Sequence, residues 1–273
     1  MKKFEGILLC TDLDGTLLRS DGTISVENLA AIDYFKSEGG LFTFITGRLP
    51  AYSSELCKMA RTNAPYGCGN GCGIYDPDKK QYLWKKEMDG KIFEFLKFAL
   101  DNTAGVGIMV NTFDTVYFLR NNSAMEWWRE ITYMKNIERK LSEIDEPIAK
   151  IVFADEDPIA IDELEKLLLS HPLADSFDFI RSEKKLFEIA TKDLSKGSVL
   201  SKLAELLGIK IERTIAVGDY YNDLTMIRAA GIGVAVANAC DELKSIANHV
   251  TVSNDNHAIA KIIHDIENGI LKI

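Results

Sequence analysis

The chain has 273 residues, 47% of them apolar, enough to fill one large core or two modest ones, which excludes a disordered polypeptide. Asp and Glu outnumber Lys and Arg by 41 to 32, leaving a formal charge of −9 and no basic stripe, so nucleic acid is excluded as a partner. Five cysteines, an odd number, argue for reduced thiols, and no run approaches the roughly eighteen apolar residues of a membrane helix, so a soluble, cytoplasmic protein with no signal peptide and no membrane partner is expected.

In chain order, the first apolar run predicts a strand over 7–11 that ends in Asp12-Leu13-Asp14-Gly15-Thr16. Strand side chains alternate, so Asp12 and Asp14 are expected on one face and in one pocket. Two unit charges about 4 Å apart repel by roughly 4 kcal/mol near a protein surface, so such a pair calls for a cation or a shared proton. An acidic turn closing a strand is the plain alternative. A helix over 25–38 leads to a strand over 41–45 that runs into Thr46-Gly47-Arg48. The Thr46 hydroxyl and the free N–H groups of such a turn suit a phosphate oxygen, although a helix cap is the commoner use of Thr there. A helix over 50–62 and a short strand pair within 66–75 follow, around Cys68 and Cys72, which no second pair or nearby His completes into a zinc set.

The middle of the chain reads differently. Strands over 81–86, 106–111 and 115–119, the last two joined by a turn at Asn111-Thr112-Phe113-Asp114, alternate with helices over 89–102 and 123–140. A strand over 148–154, a helix over 158–170 and strands over 176–181 and 186–190 complete an α+β layer of one antiparallel sheet covered on one face. It is an inserted domain, residues 81–190, with hinges at Pro77-Asp78-Lys79-Lys80 and Thr191-Lys192-Asp193. Glu126-Trp127-Trp128-Arg129 and Tyr133 are either substrate-lining aromatics or core, and Arg120-Asn121-Asn122 either meet substrate or lie in solvent. His171, His249, His257 and His264 have no partners at catalytic or zinc spacing.

The βα style resumes near 195. Lys196 opens a helix over 196–207, where the helix dipole disfavours a cation, so it is placed to meet an anion unless it is simply solvated. A strand over 213–217 ends in Gly218-Asp219, and Asn222 and Asp223 open a helix over 222–230, where they could serve as caps. Strand 232–236, helix 241–247, strand 249–252 and helix 256–267 finish the chain. Residues 1–80 with 191–273 thus predict an α/β domain with a doubly wound parallel sheet, three of whose strands end in polar residues at the carboxyl edge, where open α/β folds place ligands.

An acid pair, a hydroxyl, a lysine and a further acid form an inventory for Mg²⁺ and a phosphoryl group. Asp12-Leu13-Asp14-Gly15-Thr16, Thr46-Gly47-Arg48, Lys196-Gly197 and Gly218-Asp219-Tyr220-Tyr221-Asn222-Asp223 resemble, in order, the four motifs of the haloacid dehalogenase superfamily, with wording close to its Cof subfamily of Mg²⁺-dependent sugar-phosphate phosphatases. Asn70-Gly71-Cys72-Gly73-Ile74-Tyr75-Asp76 and Ala237-Asn238-Ala239 are also similar to stretches of that family. The chain departs from it where Asn254-Asp255-Asn256-His257-Ala258 replaces an acidic stretch followed by Gly-Val. The resemblance implies a core with an inserted cap of the larger α/β type. It also implies Asp12 as nucleophile, Asp14 as general acid and base, and Mg²⁺ held by Asp12, the Asp14 carbonyl and Asp219. Thr46, Gly47, Lys196 and Asn222 then bind phosphate, and Asp223 supports them by orienting Lys196 or a metal-bound water. A small phosphorylated metabolite is the expected partner. A phosphosugar mutase and a non-catalytic phosphate sensor are the alternatives.

Overall fold

The apolar run after Gly6 forms β1 (Leu8–Thr11), every residue of which is buried. A loop leads to α1 (Val26–Ser37), capped by the Ser25 side chain, which accepts the Asn28 N–H. Strand β2 (Leu41–Phe44) pairs parallel with β1, and α2 (Pro50–Ala60) follows. Then β3 (Tyr66–Cys68), β4 (Gly73–Asp76) and β5 (Gln81–Lys85) make a small three-stranded sheet. The computed structural model describes residues 2–131 and 137–273 and divides into two compact units. The first comprises Met1–Arg48, Ser53–Trp84 and Ser195–Ile273, and the second Leu49–Tyr52 and Lys85–Leu194. The strand near 81 therefore groups with the first unit, because β5 extends the β3–β4 sheet, and Thr191 to Leu194 group with the second.

The second unit contains, in order, α3 (Ile92–Asn102), β6 (Gly107–Thr112), β7 (Val116–Arg120), α4 (Glu126–Ile131), β8 (Ile137–Glu138), β9 (Ile148–Ala154), α5 (Pro158–Leu169), β10 (Phe177–Glu183) and β11 (Leu186–Thr191). Its six-stranded sheet runs β10-β11-β9-β6-β7-β8, antiparallel except where β8 lies parallel to β7. Alternate strand residues Ile108, Val110, Ile151, Phe153, Phe187 and Ile189 share one buried cluster with Phe95 and Leu96 of α3 and Leu164 and Leu168 of α5. The helix expected over 123–140 is not continuous. Ile137 and Glu138 instead pair with Tyr117 and Phe118, satisfying backbone groups that the outer edge of β7 would otherwise leave open. Residues 132–136, including Tyr133, and the side chains of Trp127 and Trp128 lie outside the described residues. The Arg120 guanidinium is bonded within its own unit, donating to the Leu100 and Val106 carbonyls and to Thr103 at the end of α3.

The chain re-enters the first unit through α6 (Lys196–Leu207), β12 (Thr214–Gly218), α7 (Leu224–Ala229), β13 (Ile232–Ala235), α8 (Asp241–Ile246), β14 (His249–Val250) and α9 (Ala258–Glu267). α9 starts two residues later than the periodicity predicts, because His257 takes a left-handed conformation at φ 61° that a helix cannot carry. The main sheet has the order β14-β13-β12-β1-β2 and is parallel throughout. From β1 the chain builds outward through β2, then returns to the other side of β1 with β12 and continues through β13 and β14. The reversal falls at β1, so the carboxyl ends of β1, β2 and β12 frame the crevice that such a switch point opens.

Removing a ring from the core of the second unit tests its packing. Phe95 is fully buried, so Phe95→Ala is expected to cost about 3–5 kcal/mol, read as a lowered urea midpoint for the transition of that unit.

Candidate active site

Asp12 follows β1 and continues its ladder, its N–H donating to the Val217 carbonyl at 2.8 Å. The alternation expected to bring Asp14 alongside is broken one residue later. Leu13 opens a tight helical turn, Leu13–Leu17, inside which Asp14 (φ −76°, ψ 122°) and Gly15 (φ 75°) depart from helical geometry. Asp12 is therefore buried, while the Asp14 side chain is 56% exposed and paired with Arg48, Nε to Oδ2 at 2.9 Å and Nη2 to Oδ1 at 2.6 Å. Gly15 is required twice over. Its φ is left-handed, and a Cβ there would lie 2.5 Å from Asp219 Oδ2.

Asp219, at the exit of β12, accepts the Thr16 hydroxyl at 3.1 Å. Four residues on, Asp223 is wholly buried with both oxygens engaged: Oδ2 accepts the N–H groups of Asp219 and Tyr220, and Oδ1 accepts Lys196 Nζ at 2.6 Å. Lys196 stands at the first turn of α6, whose cap Ser195 accepts the Ser198 N–H, and its ammonium is folded inward until it is 1% exposed. There it also meets Asp12 Oδ1 at 2.6 Å. Burial alone would lower the Lys196 pKa; Asp12 and Asp223 override that and hold it above the ordinary range. Burial pushes the Asp12 carboxyl up, Lys196 pulls it back, and Asp223 and Asp219 push it up again. For Asp219, burial and then the Asp223 charge raise the carboxyl to about 6.

The Thr46-Gly47 turn is joined to Asn222 through Asn70, a residue given no role of its own above. Asn70, buried and left-handed at φ 55°, donates its N–H to the Thr46 carbonyl at 3.1 Å. Its side chain fills the space where a Gly47 Cβ would be and accepts Asn222 Nδ2 at 3.2 Å. Next to it, a Cβ on Gly71 would fall 2.7 Å from the Ser195 backbone, so the same turn abuts the start of α6. The Thr46 hydroxyl accepts the Arg48 N–H at 3.1 Å and caps this turn rather than α2. Two signals for Asn70 stand in the sequence: the resemblance of the stretch from Asn70 to Asp76 to the family, and an Asn between two glycines, a pattern tolerant of left-handed backbone.

A model for haloacid dehalogenase-like hydrolases matches residues 9–263 of the chain. The protein belongs to that family. The chain is similar to the phosphatase YwpJ of Bacillus subtilis, 28% identical over 94% of this chain and 98% of that protein. It is 27% identical to the 5-amino-6-(5-phospho-D-ribitylamino)uracil phosphatase YitU of the same organism, over 94% and 96% of the two chains. A haloacid dehalogenase-like hydrolase of Bacteroides thetaiotaomicron superposes with a TM-score of 0.84 at 26% identity, covering 95% of this chain and 99% of that one.

Haloacid dehalogenase-like hydrolases with phosphatase chemistry generally use a divalent metal, and the residues here fit one. Ligand atoms of Asp12, Asp219 and Asp223 lie within 4.8 Å of one another. Lys196 brings one ammonium to two of these three carboxylates, so acid groups outnumber basic ones in the cluster. The donor set, all oxygen, is of the hard kind that suits such an ion. The Asp14 carboxylate is not part of this cluster.

Lys196 tests the electrostatics directly. Lys196→Met leaves Asp12 and Asp223 buried without their cation and is expected to destabilise the first unit by about 3–5 kcal/mol, measured by chemical denaturation.

Proposed function

We propose that this protein is a Mg²⁺-dependent phosphatase that hydrolyses small phosphomonoesters, sugar phosphates foremost, through an aspartyl phosphate on Asp12. The observation that carries the reading is the buried Lys196 ammonium, 2.6 Å from both Asp12 and Asp223 and beside Asp219 at the carboxyl edge of the sheet. The phosphatase names of its relatives, one of which acts on a phosphoribityl compound, support the same chemistry and a phosphorylated small molecule as substrate.

Asp12 Oδ attacks phosphorus in line, forming the acyl phosphate as the P–O bond to the alcohol breaks. Asp14 gives a proton to the departing alkoxide and then takes one from the water that opens the acyl phosphate. For that, its carboxylate has to turn from Arg48 toward the leaving group. The phosphoryl oxygens fall to Thr46, Gly47, Lys196 and Asn222, with Lys196 already seated against the reacting carboxylate where charge accumulates. Asp223, its two oxygens occupied, orients Lys196 and the Asp219 backbone instead of serving as a primary ligand. Mg²⁺ would be held by Asp12, the Asp14 carbonyl and Asp219, and when bound it supplies the positive charge that lets an anionic nucleophile meet an anionic phosphate. Substrate selection is assigned to the second unit as a cap. The five free thiols fit a reducing cytoplasm.

Two experiments test this reading. Hydrolysis of a phosphoester panel should stop with excess chelator and return with Mg²⁺; full activity in the chelator removes the metal from the scheme. Asp12→Asn should yield no trapped phosphoenzyme, whereas Asp14→Asn should slow both formation and breakdown by about 10²-fold or more. Label retained by Asp12→Asn would place the nucleophile elsewhere, and an isomerised sugar phosphate among the products would favour a mutase.

A further inference from the structure

The segment Asn254-Asp255-Asn256-His257, which carries none of the chemistry above, is turned onto the loop that does. Asn254 is buried and donates Nδ2 to the Leu18 carbonyl at 3.0 Å. Its backbone N–H donates to Asn238 Oδ1 at 3.0 Å, and Asn238 Nδ2 donates in turn to the Gly15 carbonyl at 2.8 Å. Asp255 accepts the Ser20 N–H at 2.9 Å and the Ser20 hydroxyl at 2.7 Å, bonds that hold its carboxyl below the ordinary range. The loop between Asp12 and Ser20 is thereby gripped at Gly15, Leu18 and Ser20 by residues more than two hundred positions away in sequence.

The grip matters because the turn is irregular where Asp14 sits. Asp14 and Gly15 depart from helical geometry inside it, and its own bonds close only at the far end, where the Asp12 carbonyl accepts the Leu17 N–H at a long 3.3 Å and the Leu13 carbonyl the Leu18 N–H at 2.8 Å. Gly15, directly after Asp14, is in the left-handed region with its backbone against Asp219, and the bond from Asn238 to its carbonyl fixes the backbone one residue beyond Asp14. Asn238 is chemically matched to its place: a carboxamide donates to the Gly15 carbonyl and accepts from the Asn254 N–H at once, which neither Asp nor Ala can do.

We propose that Asn238 and Asn254 are positioning residues that brace the Leu13–Ser20 loop so that Asp14 can transfer its proton. The inference rests on the phosphatase reading, with Asp14 as the general acid. Asn238→Asp and Asn254→Ala should each lower kcat/KM for an alkyl phosphate such as glycerol phosphate by about 10²-fold, the scale of a misplacement near 1 Å. On p-nitrophenyl phosphate, whose leaving group needs no proton, the loss should be about tenfold smaller. In the same variants, amides of residues 13–20 should exchange deuterium faster, while the β1 and β12 amides keep their protection. Equal losses on the two esters, or unchanged exchange in the loop, would overturn the proposal. Should the wild-type protein hydrolyse neither ester, the phosphatase reading fails and the positioning role fails with it, while the exchange data still decide whether the brace exists.

Discussion

One ammonium group holds the active edge of this protein together. Lys196 is sequestered from water with a carboxylate on either side, one from the end of β1 and one from the start of α7's approach. Removing a charge from water costs several kcal/mol, and the cost is offset only when the partners are close and hydrogen-bonded, as they are here. Because the ion sits where three chain segments meet, its neutralisation and the meeting of those segments are one event. Asp223 adds to this by tying the Asp219 and Tyr220 N–H groups to the lysine it binds.

The same constraint shapes how an anion can approach. The whole chain carries a formal charge of −9, and the cluster around Lys196 adds a local excess of acid. A phosphate drawn to this edge meets repulsion except at Lys196, at Arg48 and at whatever cation the carboxylates hold. Arg48 is in turn bound to Asp14. The Lys196 and Arg48 charges are thus both engaged by acids, and an anion that binds there exchanges with them as a partner.

Much of this edge was legible because buried parallel strands are written as short apolar runs, and the polar residues that end them fall at one edge once the strands are parallel. Asp12, Thr46 and Asp219 were found that way, and Lys196 by a cation placed against a helix dipole. The pairing of Asp12 with Asp14 on one face was not, since alternation holds only while the backbone stays extended, and Leu13 does not. The bond from Arg48 to Asp14, the hub at Asn70 and the two strand residues at Ile137 and Glu138 are tertiary facts. Each depends on which distant backbone lies alongside, and local periodicity carries no record of it.

The order of strands in the main sheet has a consequence for how the chain is made. β1 pairs with β2 about thirty residues later but with β12 only after Thr214 has been synthesised. At the usual ~5–20 residues per second of translation, the β12 side of β1 waits roughly 10 to 40 s for its partner. Throughout that interval a strand buried along its whole length in the finished fold offers an open hydrogen-bonding edge, the feature that favours association between chains. Both segments of the second unit, Leu49–Tyr52 and Lys85–Leu194, are made before β12 emerges, so that unit can fold in the meantime. The late half of the sheet therefore closes the edge and brings Asp12, Lys196 and Asp223 together in the same step, so a chain cut short before β12 has neither the closed edge nor the cluster.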